Sequence, residues 1–256
     1  MNSRDWLYLL MFTADQMSRP TLRNLLSSYE EFEHRHRPER DVLLWEKRGW
    51  VKRSPDAEDV VFALTEQGKQ EVMVGVNPEV SWDRPWDGAW RMLLFDLPSP
   101  EKRLRMNFWR WLREHRFGYL QNSVWIRPHI EDPLVQTMEW FRDNPEQFLL
   151  LESRNILGIS DEAMVQGAWD FIEINRRYKD YLERIDSWMT TRWSVIKLPQ
   201  LIELIAEERN GYKTLLERDP LLPKALLPSD YMGRKACESR KKFLRRLRTE
   251  LRRKLA

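Results

Sequence analysis

The chain has 256 residues, 42% of them hydrophobic and with 13 Trp, 10 Phe and 7 Tyr, which excludes global disorder and suits two or three modules of ordinary domain size. A lone cysteine, Cys237, excludes an intramolecular disulfide and a Cys-rich metal site and fits a reducing compartment, so the cytoplasm is the expected location. The net charge of +3 is unevenly spread: Arg234 to Lys254 holds eleven Arg or Lys against Glu238 and Glu250, leaving 32 basic and 38 acidic residues elsewhere, an asymmetry that points the C-terminal end towards an anionic partner.

In chain order, Trp6, Leu9, Leu10, Thr13 and Met17 recur at spacings of three and four and predict a first helix. The apolar run Trp6 to Phe12 is too short for a signal core or a membrane span, and no other segment reaches the roughly 20 apolar residues a span needs. Ser18, Pro20 and the series Leu22, Leu25, Leu26, Tyr29 predict a second helix. A third starts between His34 and Pro38, turns Val42, Leu44 and Trp45 inward and stops at Gly49. Trp50–Arg53 and Val60–Leu64, separated by Ser-Pro-Asp-Ala-Glu-Asp, read as a hairpin, and Thr65 as the cap of another helix. Three helices and a two-stranded wing make residues 1–75 a winged helix-turn-helix.

Residues 76–87 read as a linker. Trp90 to Leu97 is a nearly continuous apolar run, which suits a central strand buried on both faces. A helix from Ser99-Pro100 follows, burying Leu104, Phe108, Trp111 and Leu112 and exposing Lys102, Arg103, Arg105, Arg110 and Arg113. Phe117–Leu120 and Ser123–Ile126 form a hairpin, Pro133–Arg142 a helix and Gln147–Glu152 a last strand, so 88–155 follows the β-α-β-β-α-β order of a ferredoxin-like domain. Residues 160–256 read as a helical C-terminal domain: Trp169, Ile172, Tyr178, Leu182 and Ile185 form an apolar stripe, followed by helices over Leu198–Leu216 and Pro228–Leu255, with prolines punctuating the link. The fold class is α+β.

The segment His34 to Arg53 carries seven Arg or Lys against three acids, plus two His. In a helix-turn-helix the N-terminal residues of the second helix meet base edges. That places Arg35, His36, Arg37 and Arg40 as candidates to read DNA, and Lys52 and Arg53 of the wing as phosphate contacts. Residues 1–75 as a whole hold 11 basic and 13 acidic side chains, so only this local face attracts a duplex. In the tail, Phe243, Leu244, Leu247 and Leu251 lie on one side of a cationic helix and leave Arg245, Arg246 and Arg248 for DNA or solvent. Asp96, at the end of the first central strand, is either a turn-capping residue or one carboxylate of a divalent-metal site, which would need further ligands. No phosphate-binding loop, nucleophile elbow or Cys/His ligand set appears, so neither an enzyme nor a cofactor is expected.

Two blocks carry a specific resemblance. Trp86-Asp-Gly-Ala-Trp-Arg-Met-Leu-Leu-Phe-Asp-Leu-Pro98, continued by Phe117-Gly-Tyr-Leu-Gln-Asn-Ser-Val-Trp-Ile-Arg-Pro128, resembles the central domain of the PaaX family of transcriptional repressors. Leu215-Leu-Glu-Arg-Asp-Pro-Leu-Leu-Pro-Lys-Ala-Leu-Leu-Pro-Ser-Asp-Tyr-Met-Gly-Arg-Lys-Ala236 is similar to that family's C-terminal region. The resemblance implies a homodimeric repressor on double-stranded DNA, released from its operator by a small effector such as an aryl-acyl-CoA. Arg127, Arg176, Arg177 and Arg218 are then candidates near the effector's phosphates, with no ranking among them. The central domain is also similar to the small CRISPR adaptation subunit, some members of which are metal-dependent nucleases with an aspartate at the place of Asp96. A nuclease centred on Asp96 and a non-regulatory nucleic-acid-binding scaffold are therefore the alternative readings.

Overall fold

The computed structural model describes residues 38–55, 60–65, 77–96, 102–121, 123–130, 147–154 and 158–255. The first two expected helices, and Arg35, His36 and Arg37, lie outside the described residues. Contacts group the chain into two units: one takes the described part of Met1–Gly75 with Tyr181–Lys213 and Lys235–Ala256, the other Val76–Asp180 with Thr214–Arg234. Three helices contribute residues to both, α5 (Phe171–Thr190), α6 (Leu198–Arg218) and α7 (Gly233–Leu255), counting described elements in chain order.

In the first unit, α1 spans Pro38–Lys47; proline suits the opening position because its missing N–H has no intrahelical partner there. Gly49 (φ 69°) ends it, with Gly49 N donating to Glu46 O at 2.9 Å and Trp50 N to Trp45 O at 2.9 Å. This pair is the Schellman closure, for which glycine carries no Cβ penalty. The chain then enters β1 (Val51–Pro55), antiparallel to β2 (Val60–Leu64) with Val51 opposite Leu64 and Pro55 opposite Val60. Trp45, Trp50 and Val51 are buried. Thr65 fastens the hairpin base: its N–H donates to Trp50 O at 3.0 Å and its hydroxyl to Gly49 O at 2.5 Å. The unit's helical part packs rings, with Phe243 5.3 Å from Trp188 and 5.7 Å from Trp193 between centroids, and buries Phe243, Leu247 and Leu251.

The second unit holds a four-stranded antiparallel sheet of β3 (Trp90–Phe95), β4 (Gly118–Gln121), β5 (Val124–Arg127) and β6 (Phe148–Ser153), in the order β4-β5-β3-β6. The first strand is thus central, which explains its apolar run. Because β3 and β4 run parallel with β5 between them, the chain needs a crossover, and α3 (Lys102–Glu114) supplies it. The second expected crossover helix, 133–142, lies outside the described residues. One face of α3 closes the core of Leu93, Phe95, Phe108, Leu112, Phe117, Trp125 and Phe148. Phe108 meets Phe95 edge-on at 4.8 Å and Phe148 at 5.4 Å, arrangements worth about 0.5–1.5 kcal/mol each beyond area burial. Helix α4 (Asp161–Ala168) lies against β4, and a Cβ on Gly118 would fall 2.6 Å from the Trp169 ring and 2.7 Å from Ala168. Only glycine fits there.

Several expectations need correction. The segment 76–87 contains a helix, α2 (Pro78–Trp82), capped by Asn77, whose side chain accepts from Glu79 N; Trp82 is 1% exposed, so the segment is anchored by a core residue. Strand β3 ends at Phe95, two residues early. Trp111 is half-buried, stacked on Phe108 at 5.9 Å and His115 at 4.2 Å, and Arg105 is also half-buried. Ile172 is 87% exposed; Phe171, Ile174, Tyr178, Tyr181, Leu182 and Ile185 are the buried set on α5. Pro228–Met232 is non-helical and α7 starts at Gly233. Among the described residues no helix is long and apolar enough to cross a membrane.

Candidate functional site

The blocks that carried the family resemblance resolve into two structural knots. In the first, Asp87 Oδ1 accepts from Ala89 N at 3.0 Å and Gly88 takes φ 75°, folding the chain back before β3. Arg91, on β3, grips Asp87 with both terminal nitrogens at 2.9 and 2.6 Å. It also donates to Ala89 O and to Pro128 O beyond β5, and pairs with Glu152 of β6 at 3.2 Å. One guanidinium therefore ties together the ends of three adjacent strands. Its hydrogen bonds hold the Asp87 carboxyl well below the usual carboxylate range.

The second knot is centred on Asp219, 1% exposed. Its Oδ2 accepts from the hydroxyls of Tyr178, at 2.5 Å, and Tyr231, and its Oδ1 accepts from Leu221 N at 2.7 Å. Arg116 donates to the carbonyls of Leu216 and Asp219 at 3.0 Å each. Arg116 holds φ 63° and Leu221 φ 51°, left-handed conformations that strain non-glycine residues by about 1–3 kcal/mol; their hydrogen bonds compensate. Burial pushes the Asp219 carboxyl up, opposed by the two tyrosine hydroxyls, Leu221 N and the Arg116 charge. Burial, then the Asp219 charge, raises Tyr178 in turn. Sequence reasoning missed this centre, because Asp219-Pro220 reads as a helix stop.

In the first unit, a third buried polar group joins α6 to α7. Glu208 is fully buried; it accepts from Arg240 Nε at 2.6 Å, Arg240 Nη2 at 3.2 Å and the Tyr181 hydroxyl at 2.7 Å. Arg240 also lies over the Tyr212 ring, 4.3 Å from its centroid. With its charge matched and its oxygens occupied, this pair is architectural.

The candidate DNA contacts are placed unevenly. Arg40 stands in the first turn of α1 and Arg53 opposite Phe62 in the hairpin, each located by its backbone. Lys52, opposite Ala63, is exposed. Arg245, Arg246 and Arg248 are exposed on α7, but Arg246 donates to Met189 O at 2.7 Å and lies 5.2 Å from the Trp193 centroid. Arg246 thus has a local role as a clasp. Asp96 is exposed, its N–H donating to Gln147 O at 2.9 Å. Among the described residues no group of three or more His, Cys, Asp or Glu side chains is arranged to hold a metal.

The candidate effector arginines differ in their surroundings. Arg127 is half-buried, 5.8 Å from the Phe117 centroid. Arg176 pairs with Glu173 at 2.7 Å and Asp180 at 2.8 Å, and Arg177 with Glu173 at 2.7 Å. The Arg176 hydrogen bond, followed by that of Arg177, lowers Glu173 to about 2. Arg218 is exposed in the last turn of α6.

Comparison with known proteins places these features. Residues 83–165 match the family model described as the PaaX protein central Cas2-like domain, and residues 169–255 that of the PaaX-like protein C-terminal domain. The chain is 24% identical over 203 residues to the transcriptional repressor PaaX of Escherichia coli (strain K12), covering 74% of this chain and 62% of that protein; the match therefore spans less than two thirds of the repressor's length. In three dimensions it is similar to the uncharacterized protein Rv0674 from Mycobacterium tuberculosis, with a TM-score of 0.60 and 19% identity over 96% of this chain and 94% of that one, a likeness of fold. Both knots fall inside the matched domains, and on those two adjoining matches the chain belongs to the PaaX family.

Proposed function

We propose that this chain is a sequence-specific DNA-binding repressor of transcription, working in the cytoplasm as a homodimer. The observation that carries the reading is the pair of adjoining family matches over residues 83–165 and 169–255, supported by the similarity to a named repressor. Residues 1–75 act as a winged helix-turn-helix, 88–155 as a ferredoxin-like middle and 160–256 as the helical C-terminal domain. Arg35, His36, Arg37 and Arg40 read bases from the start of the third helix while Lys52 and Arg53 of the hairpin touch phosphates. Arg245, Arg246 and Arg248 of α7 reinforce that grip, Arg246 while also donating to the Met189 carbonyl. The closed turn at Gly49 and the Thr65 bonds favour a stiff junction between helix and hairpin, which suits fixed placement on a duplex. A small effector, of the aryl-acyl-CoA class, shifts the dimer towards an arrangement that releases its operator.

The test measures binding of the full chain to a labelled duplex from its own upstream region, beside a scrambled duplex of equal length and composition. The expected result is a preference of about 10³ or more for the native sequence at physiological salt, reduced by an aryl-acyl-CoA. Equal affinities for native and scrambled duplexes from every promoter tried would reject the repressor reading.

A further inference from the structure

Among the described residues, eight arginines are already neutralised by acids. Arg91, Arg154, Arg176, Arg177, Arg184, Arg234, Arg240 and Arg253 all lie within 4.0 Å of a carboxylate. Helix α3 departs from this pattern. Its sequence, KRLRMNFWRWLRE, holds five basic residues and one acid, and Arg103, Arg110 and Arg113 are exposed. No carboxylate pairs with any of the three among the described residues; Arg113 lies 5.9 Å from the Trp125 ring centroid. At 100° per residue, Arg103 and Arg110 fall within about 20° of each other, on the side opposite Phe108 and Leu112, and Arg113 flanks them. Between them are exposed Asn107 and Met106, the latter 63% exposed. The result is a stripe about 15 Å long, ending at exposed Glu114, directed away from the core and carrying three arginines with no carboxylate partner among the described residues.

We infer that this face of α3 is a further, sequence-independent contact for the phosphate backbone of double-stranded DNA, in addition to those proposed for the hairpin and α7. The inference rests on the repressor reading for its partner. Three guanidinium groups over about 15 Å match the axial rise of roughly four base pairs, whose phosphates supply the dense, regular negative charge that a row of exposed arginines complements. Arginine also suits phosphate through its planar donor fork.

The experiment compares the full-length parent with R103Q/R110Q/R113Q, and with a control, K179Q/K224Q/K235Q, that removes three exposed lysine charges elsewhere. Affinity for the upstream duplex and for its scrambled counterpart is measured across salt concentrations. If each arginine displaces one counterion, the slope of log K against log salt falls in magnitude by about 2.7 in the arginine variant. From about 50 to 200 mM salt the parent then loses about 40-fold more affinity than the variant does. The native-to-scrambled ratio stays constant, because the lost contacts carry no base information, and the control keeps the parent slope. An arginine variant with the parent's slope overturns the inference while leaving the repressor reading intact, as does a control that flattens equally. A parent that binds both duplexes alike removes the repressor reading instead, and the slope then tests the phosphate contact by itself.

Discussion

Removing the tyrosine hydroxyls from the Asp219 knot tests whether the most distinctive C-terminal motif is there to hold the fold. Both hydroxyls donate to the same oxygen of a carboxylate that is 1% exposed, so each is a hydrogen bond to a charged acceptor, worth about 1.5–3 kcal/mol. Tyr178→Phe should cost the full amount, because Tyr178 is itself 1% exposed and no water replaces its hydroxyl. Tyr231→Phe should cost less, since Tyr231 is only partly buried. The double variant leaves Oδ2 without either donor, so its loss should exceed the sum of the singles by about 0.5–3 kcal/mol. The pH dependence follows. A carboxyl raised above its ordinary 3.8 keeps its proton in the folded state where the unfolded chain has lost it, so its contribution falls as pH climbs from 3.8 towards the folded value. Without two donors to the ionised form the folded value rises further, and the double variant should lose stability over a wider span of rising pH. Urea unfolding followed by tryptophan fluorescence is a suitable assay, Trp82 being edge-on to Tyr231 at 5.8 Å. Single variants within about 0.5 kcal/mol of the parent, the range of ordinary surface substitutions, would refute the reasoning.

Three further perturbations address the remaining contacts. Gly118→Ala drives a methyl against Trp169 and Ala168 and should destabilise by about 1–3 kcal/mol; a melting temperature within about 1 °C of the parent's would mean that the ring yields. Arg240→Ala strands the buried Glu208 carboxylate and should cost about 3–5 kcal/mol, whereas combining it with Glu208→Gln should recover part of the loss; no recovery in thermal unfolding would show that packing over Tyr212 matters more than charge. For Asp87, whose folded pKa is lowered by Arg91, the contribution is present above the unfolded value of 3.8 and lost as pH falls towards the folded one. Asp87→Asn should therefore be less stable than the parent at neutral pH, with the two converging in acid; a gap that stays constant down to about pH 2 contradicts the pairing.

The parts of the fold legible in the sequence are those where one local pattern admits one solution. Trp90–Phe95 is apolar except for Arg91, a run that suits a strand flanked on both edges, and β3 sits between β5 and β6. Gly49 closes α1 because its left-handed position follows directly on a helical period. Failures came where two phases of one pattern compete. On α5, Phe171 and Ile172 are equally apolar and adjacent, and only packing selects Phe171, leaving Ile172 in solvent. Asn77-Pro78 breaks a long period yet also starts a helix, and without a view of Tyr231 nothing in the sequence says that Trp82 has a partner.

The candidate site was harder to read, for a reason that the charges make plain. Composition counts an arginine as one positive charge wherever it falls, but the field outside the protein depends on which of them are cancelled. Arg246 and Arg110 look alike in the sequence, each beside another arginine or a tryptophan on an amphipathic helix. In the structure the first spends a donor on the Met189 carbonyl at 2.7 Å, while the second projects from the exposed side of α3 without an ion pair to a carboxylate among the described residues. Likewise Arg91 and Arg176 carry full charge in any tally, and both are matched by acids within 3 Å. The linear charge profile thus overstates the basic tail at Arg246 and gives no sign of the exposed arginines on α3, a helix of thirteen residues in the middle of the chain.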